Sequence, residues 1–140
     1  MIKMTILGEP VAQHRPRITT VGKFPRMYKT AKDNTYREKL YWEAKRLNMK
    51  PISRKIPLLV RLRVLRQIPK SLSGTKRELA IKKLLRPVTK PDIDNYVKQV
   101  FDALNGLVWE DDAQIVLINA AKFYDEIPRL ELEITEATFS

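Results

Sequence analysis

The sequence predicts an α+β fold: a mostly antiparallel sheet with helices packed on one face, in a single domain. Three observations carry this prediction. Residues 58–65 and 129–135 alternate apolar and polar side chains with the period of a strand. Residues 31–47 and 92–105 instead space their apolar residues three and four apart, the period of a helix. The resulting order, strand, helix, strand, helix, strand, strand, belongs to an α+β chain, and 140 residues suit one domain.

The first element is Ile2 to Leu7, an apolar-rich strand closed by Gly8-Glu9-Pro10. Residues 9–30 hold three prolines among scattered basic residues. They read as an extended basic loop with a short strand at Tyr28. Ala31 to Leu47 follows as a helix, with Tyr36, Leu40, Tyr41, Ala44 and Leu47 inside and Arg37, Lys39, Lys45 and Arg46 outside. Leu58 to Leu65 is a strand with Leu58, Val60, Leu62 and Val64 on one side. Its apolar side and the C-terminal strands are core or a subunit interface. Residues 70–85 form a basic insertion, with Ser71, Ser73 and Gly74 ahead of a short helix at 76–85, and some flexibility is expected there. Asp92 to Asn105 is an amphipathic helix with Ile93, Val97, Val100, Phe101 and Leu104 buried, stopped by Asn105-Gly106. Ile115 to Phe123 and Arg129 to Thr135 are the last strands, with Pro128 marking the turn between them.

Charge is divided along the chain. Residues 1–90 carry 24 Lys and Arg against 5 Asp and Glu, while residues 91–140 carry 3 against 11, for a net +11. A basic surface attracts polyanions, and a compact acidic cluster within it repels them unless a cation fills it. That pairing suggests metal-dependent chemistry on nucleic-acid phosphates. No cysteine is present, which excludes disulfides and thiolate metal sites. His14 is the one histidine, which excludes a histidine metal cage. No stretch approaches the roughly 18 apolar residues of a membrane span, and the N-terminus lacks a signal-peptide layout. A cytoplasmic location is expected.

The acidic residues fall in Lys90-Pro91-Asp92-Ile93-Asp94-Asn95-Tyr96-Val97-Lys98 and Trp109-Glu110-Asp111-Asp112. Asp92 and Asp94 have a plain explanation: aspartates at a helix start cap free N–H groups and suit the helix dipole. They have a second one. Carboxylates two apart at a loop mouth converge, and Lys98 stands on the face of Asp94 one turn on. Asp111 and Asp112 are either a solvated turn or a source of one more inward carboxylate, since their side chains diverge on extended backbone. Three short carboxylates suit Mg²⁺, which takes a few oxygen ligands plus waters and substrate phosphates. The basic residues are likewise open to two readings. Arg15 and Arg17 lie in a solvated loop or on a phosphate path, and Phe24, Tyr28 and Tyr36 are core or base-stacking residues. No base-reading module is apparent.

The segment from Lys90 to Lys98, then Phe101-Asp102-Ala103-Leu104-Asn105-Gly106 and Trp109-Glu110-Asp111-Asp112-Ala113-Gln114, closely resembles the RusA family of Holliday-junction resolvases. Arg15-Pro16-Arg17 is similar to that family's opening loop, and Lys122 falls where the family places a lysine. The resemblance implies a homodimeric endonuclease that needs Mg²⁺, which Mn²⁺ can replace, and no organic cofactor. Such an enzyme nicks two opposed strands of four-way branched DNA symmetrically, in recombination and repair. By position, Asp92, Asp94 and Asp112 are then the metal ligands, Lys98 is the catalytic lysine and Asp111 faces away. Asp102 supports the helix or pairs with Lys98. Arg15, Arg17, Lys90 and Lys122 are the expected DNA contacts. The alternatives are a nuclease for branched or flap DNA more broadly, and a non-catalytic basic nucleic-acid-binding protein.

Overall fold

The computed structural model describes residues 1–14 and 31–138 in full, and the backbone of residues 17–19 and 26–28. Among these the strands are β1 (Ile2–Leu7), β2 (Arg17–Thr19), β3 (Arg26–Tyr28), β4 (Leu58–Gln67), β5 (Ile115–Asp125) and β6 (Arg129–Glu136). The helices are α1 (Ala31–Arg46), α2 (Gly74–Ile81) and α3 (Ile93–Leu104). One sheet has the order β1-β6-β4-β5, and β2 and β3 form a separate antiparallel pair. Within the larger sheet β1–β6 and β6–β4 are antiparallel, whereas β4–β5 is parallel. The sheet is thus mixed and mostly antiparallel. The parallel pair has a topological cause: α2 and α3 lie between β4 and β5 and return the chain to the end it left.

The alternation in β4 places Leu58, Val60, Leu62 and Val64 in the core. Val60 pairs with Ile134, Leu62 with Leu132 and Val64 with Leu130, and β1 adds Met4 and Ile6. These residues are core, so neither β4 nor β6 offers an apolar subunit interface. Tyr36, Leu40 and Ala44 of α1 and Tyr96, Val100 and Leu104 of α3 cover the same face. Each large side chain so buried contributes about 1.5–3 kcal/mol. The other face carries Lys3, Arg61, Glu131 and Glu133.

Three local expectations need correction. The buried stripe of α1 is Asp33, Tyr36, Leu40 and Ala44, so Tyr41, a further 100° round the helix, lies outside with Trp42. Ile93 is in the first turn of α3, which borders an open cleft, and Tyr96 packs inward in its place. The insertion at 70–85 is anchored. Ala80 is buried, Lys83 Nζ donates to Tyr124 O at 2.7 Å and to Asp125 at 2.8 Å, and the Arg86 guanidinium lies 4.4 Å from the Phe123 ring centre. Burial alone would push the Asp125 carboxyl up. Its bonds to Lys83 and the Ile127 N–H, with Arg129 nearby, outweigh that and hold its pKa at about 2.

Candidate active site

Asp92 occupies the N-cap of α3 on extended backbone, yet its carboxylate accepts no capping hydrogen bond. It pairs with Lys90 Nζ at 3.1 Å. Capping therefore does not account for this side chain. Asp94 lies in the first turn of α3. Both carboxylates line a cleft of about 480 Å³ together with Gln13, His14, Lys90 and Asn95.

The facing wall is the segment after β1. Gln13 N–H donates to Asn95 O at 3.0 Å, fastening this segment to the start of α3. His14 is held by Asp33 of α1, which is wholly buried. Asp33 Oδ2 accepts the His14 backbone N–H at 3.1 Å, and Oδ1 lies 2.8 Å from ring Nδ1. With the ring proton on Nδ1, that nitrogen donates to Asp33 Oδ1 and Nε2 is left as the acceptor.

Behind the cleft, Lys122 of β5 donates from Nζ to Thr89 O and Pro91 O, each at 3.0 Å. Arg66 of β4 donates to Lys90 O at 3.2 Å. Two strands thus tie down the loop that delivers Asp92. Burial lowers the pKa of the Lys122 ammonium, nearby Arg66 adds to this, and Asp92 opposes it. Lys122 is first a clamp on the loop, and Lys90 first a partner of Asp92. Lys98 is exposed one turn beyond Asp94 and has no ion-pair partner among the described residues. Asp102 pairs with Arg37 at 3.2 Å, not with Lys98. Arg15 and Phe24 lie outside the described residues, as do the side chains of Arg17 and Tyr28. Tyr36 is buried core.

Asp112 is not in this cleft. Its Oδ1 accepts the Trp109 indole N–H at 2.6 Å, and its backbone N–H donates to Asn105 at the far end of α3. The length of α3 separates it from Asp92 by about 18 Å. The span of β5 from Ile115 to Lys122 gives a second ruler of about 23 Å. Burial raises the pKa of the Asp112 carboxyl, the Trp109 bond opposes this, and Asp102 and Asp111 raise it further. Asp111 turns the other way: it caps the 3-10 turn Asp112–Gln114 through the Ala113 N–H, in a reciprocal box with Gln114.

Among the described residues no three His, Asp or Glu side chains gather as a metal cage. The cleft still suits a divalent ion. It offers two carboxylates, one already facing a cation in Lys90. Gln13 Oε1 is buried beside them without a partner among the described residues, an acceptor short of a donor. Mg²⁺ is commonly held by one or two carboxylates, with waters and substrate phosphate completing the shell. A smaller cleft of about 210 Å³ on the open sheet face is lined by Lys3, Arg61 and Glu133, whose charges pair with each other.

The His14–Asp33 pair and Arg66 are absent from the sequence-based set. A single histidine beside basic residues was the only hint of the first, and Asp33 has no local signature. A family model described as endodeoxyribonuclease RusA matches residues 8–135. The chain is 43% identical over 139 residues to the uncharacterized protein YqaN of Bacillus subtilis, covering 98% of this chain and 97% of that one. It is 45% identical over 49 residues to the crossover junction endodeoxyribonuclease rusA of Lactococcus phage r1t, covering 34% of this chain and 37% of that one. With a basic chain, a paired-carboxylate cleft at a helix start and a family match over nearly its whole length, this chain belongs to the RusA family of endodeoxyribonucleases.

Proposed function

We propose that this chain is a structure-selective DNA endonuclease that resolves four-way junctions by paired, symmetric nicks during recombination and repair in the cytoplasm. The observation that carries the reading is the uncapped Asp92 carboxylate beside Asp94 in an open cleft. An acid at a helix N-cap that leaves the cap unmade is placed for something else.

Asp92 and Asp94 would hold Mg²⁺, or Mn²⁺ in its place, against a DNA phosphate. When bound, the ion supplies charge neutralisation at phosphorus and a nucleophilic water. The protein's own groups supply the rest. The Lys98 ammonium offsets negative charge that builds at phosphorus or on the leaving oxygen. His14, oriented by Asp33, accepts or returns a proton through Nε2. Arg66 and Lys122 fix the loop that sets Asp92, so the site is ordered before DNA arrives. Lys90 now pairs with Asp92; with that carboxylate given over to a cation, Lys90 would be free to meet the phosphate backbone. Asp112 is the third carboxylate, and within one chain it stands too far away to act. The basic first 90 residues give affinity without reading sequence, which suits recognition of a branched shape.

The test is incubation with a synthetic four-way junction, a flap and a linear duplex, each with Mg²⁺ and with EDTA. The proposal expects metal-dependent nicks in opposed strands of the junction. Equal cutting of all three would replace it with a broader nuclease, and no cutting of any would leave a binding protein.

A further inference from the structure

The insertion and the segment after it, residues 70–90, carry seven Lys and Arg and one acid, Glu78. This stretch is built onto the domain. Leu65, Ile68 and Ala80 are buried although they stand outside the main core, and Lys83 and Arg86 pin the stretch to β5. It nevertheless presents large apolar side chains to solvent: Leu84 is 73% exposed and Val88 92%. Apolar side chains held out by an anchored segment mark a surface that meets something. Part of this surface is concave. Leu72, Leu79, Leu85, Val88 and Tyr124 line a groove of about 390 Å³, with Lys76 and Arg86 also in its walls. That volume lies within the roughly 300–1,000 Å³ of ordinary ligand sites.

Charge and chemistry together select the occupant. Arg77, Lys82 and Lys83 have carboxylate partners in Glu126, Glu78 and Asp125. Lys76 has none among the described residues, so the groove keeps an uncompensated cation at its wall. A second copy of the chain would bring the same positive stretch and be repelled. DNA matches the charge but not the surface. Its phosphates need hydrogen-bond donors along a path, and this groove is mostly aliphatic. The Thr89 and Tyr124 carbonyls beside it are already taken by Lys122 and Lys83, which leaves them no free role in reading a base edge. A polypeptide that carries both carboxylates and large apolar side chains satisfies the two requirements at once.

We propose that this groove docks a short acidic segment of a partner protein, whose apolar side chains enter against Leu79 and Val88 while a carboxylate meets Lys76. Among the described residues none lines both this groove and the Asp92–Asp94 cleft. The partner therefore holds the chain without occupying the cleft, and the cleft stays open to its own substrate. The inference does not depend on what the cleft cuts.

The test uses the full chain and a short fluorescein-labelled peptide in which pairs of aspartates alternate with leucine and phenylalanine. Binding is read by fluorescence anisotropy. Wild type is expected to bind it saturably, and more weakly as salt rises. Val88→Ser and Lys76→Glu are each expected to weaken binding about tenfold. Val88 is so exposed that its replacement leaves the fold intact, which an unchanged melting temperature checks. A second peptide with serine in place of every leucine and phenylalanine is expected not to bind. Equal binding of the two peptides shows attraction by charge alone and overturns the groove, as does no saturable binding of the first, or binding that neither substitution weakens. The last arm measures four-way junction affinity in Ca²⁺. Val88→Ser changes no charge and is expected to match wild type there. A tenfold fall in junction affinity would make the groove a DNA contact and overturn the peptide site.

Discussion

Lys122→Met separates two roles for a lysine that both sequence and structure single out. Methionine keeps the length and apolar stem and removes the ammonium. The lost contacts are two charge-assisted hydrogen bonds, to Thr89 O and Pro91 O, each 3.0 Å. Bonds to a charged group contribute about 1.5–3 kcal/mol each, and a half-buried setting reduces this to about 1 kcal/mol. Together they hold the loop before Asp92 with about 2 kcal/mol. If that order is needed in the transition state, single-turnover cleavage of a pre-bound junction falls about 30-fold. Affinity for the junction, measured across salt concentrations in Ca²⁺ to prevent cutting, is expected to keep its slope. A phosphate contact behaves in the opposite way. The slope of log affinity against log salt would then become shallower by about 0.9 with turnover of bound DNA intact. That result would refute the clamp.

Three further outcomes are expected. Lys98→Ala lowers turnover at least tenfold while affinity changes by less, and an equal loss in both would make Lys98 a docking residue. Wild-type binding to a junction weakens steeply with salt, with a slope on the order of −0.9 for each phosphate contacted; a flat response contradicts a basic binding surface. Asp125 has a folded-state pKa depressed to about 2. Its stabilisation is therefore complete above the ordinary carboxylate range near 3.9 and is lost as pH falls through that range toward 2. Asp125→Asn should cost about 2 kcal/mol in urea unfolding at pH 7 and little at pH 2. A cost that is the same at both pH values removes the ionic explanation.

Much of the fold was legible because it rests on local period. The alternation of Leu58, Val60, Leu62 and Val64, and of Leu130, Leu132 and Ile134, marks core strands without reference to any partner. The Asp92–Asp94 pair was legible because helix-start chemistry is local. What period cannot encode is which strands become neighbours, so the parallel β4–β5 pairing had no sequence signal. The apolar run Val116, Leu117, Ile118 reads as interior, and only an edge position exposes it. His14 meets Asp33 across 19 residues, Lys122 meets Thr89 across 33, and Asp102 meets Arg37 across 65. None of these has a spacing rule. Asp112 shows the limit most clearly. Its identity was readable, but the helix and strand that carry it away from Asp92 act as rigid spacers whose direction only the fold sets.

The central claim is that the carboxylates of Asp92 and Asp94 serve phosphodiester cleavage and not helix capping. The direct measurement is single-turnover cutting of a pre-bound four-way junction, started with Mg²⁺, for wild type and Asp92→Asn, with melting temperatures taken alongside. The account predicts cutting by wild type alone, binding by the variant that is equal or tighter, and an unchanged melting temperature because no cap bond is lost. An Asp92→Asn protein that cuts at the wild-type rate, or that merely unfolds sooner, would contradict it.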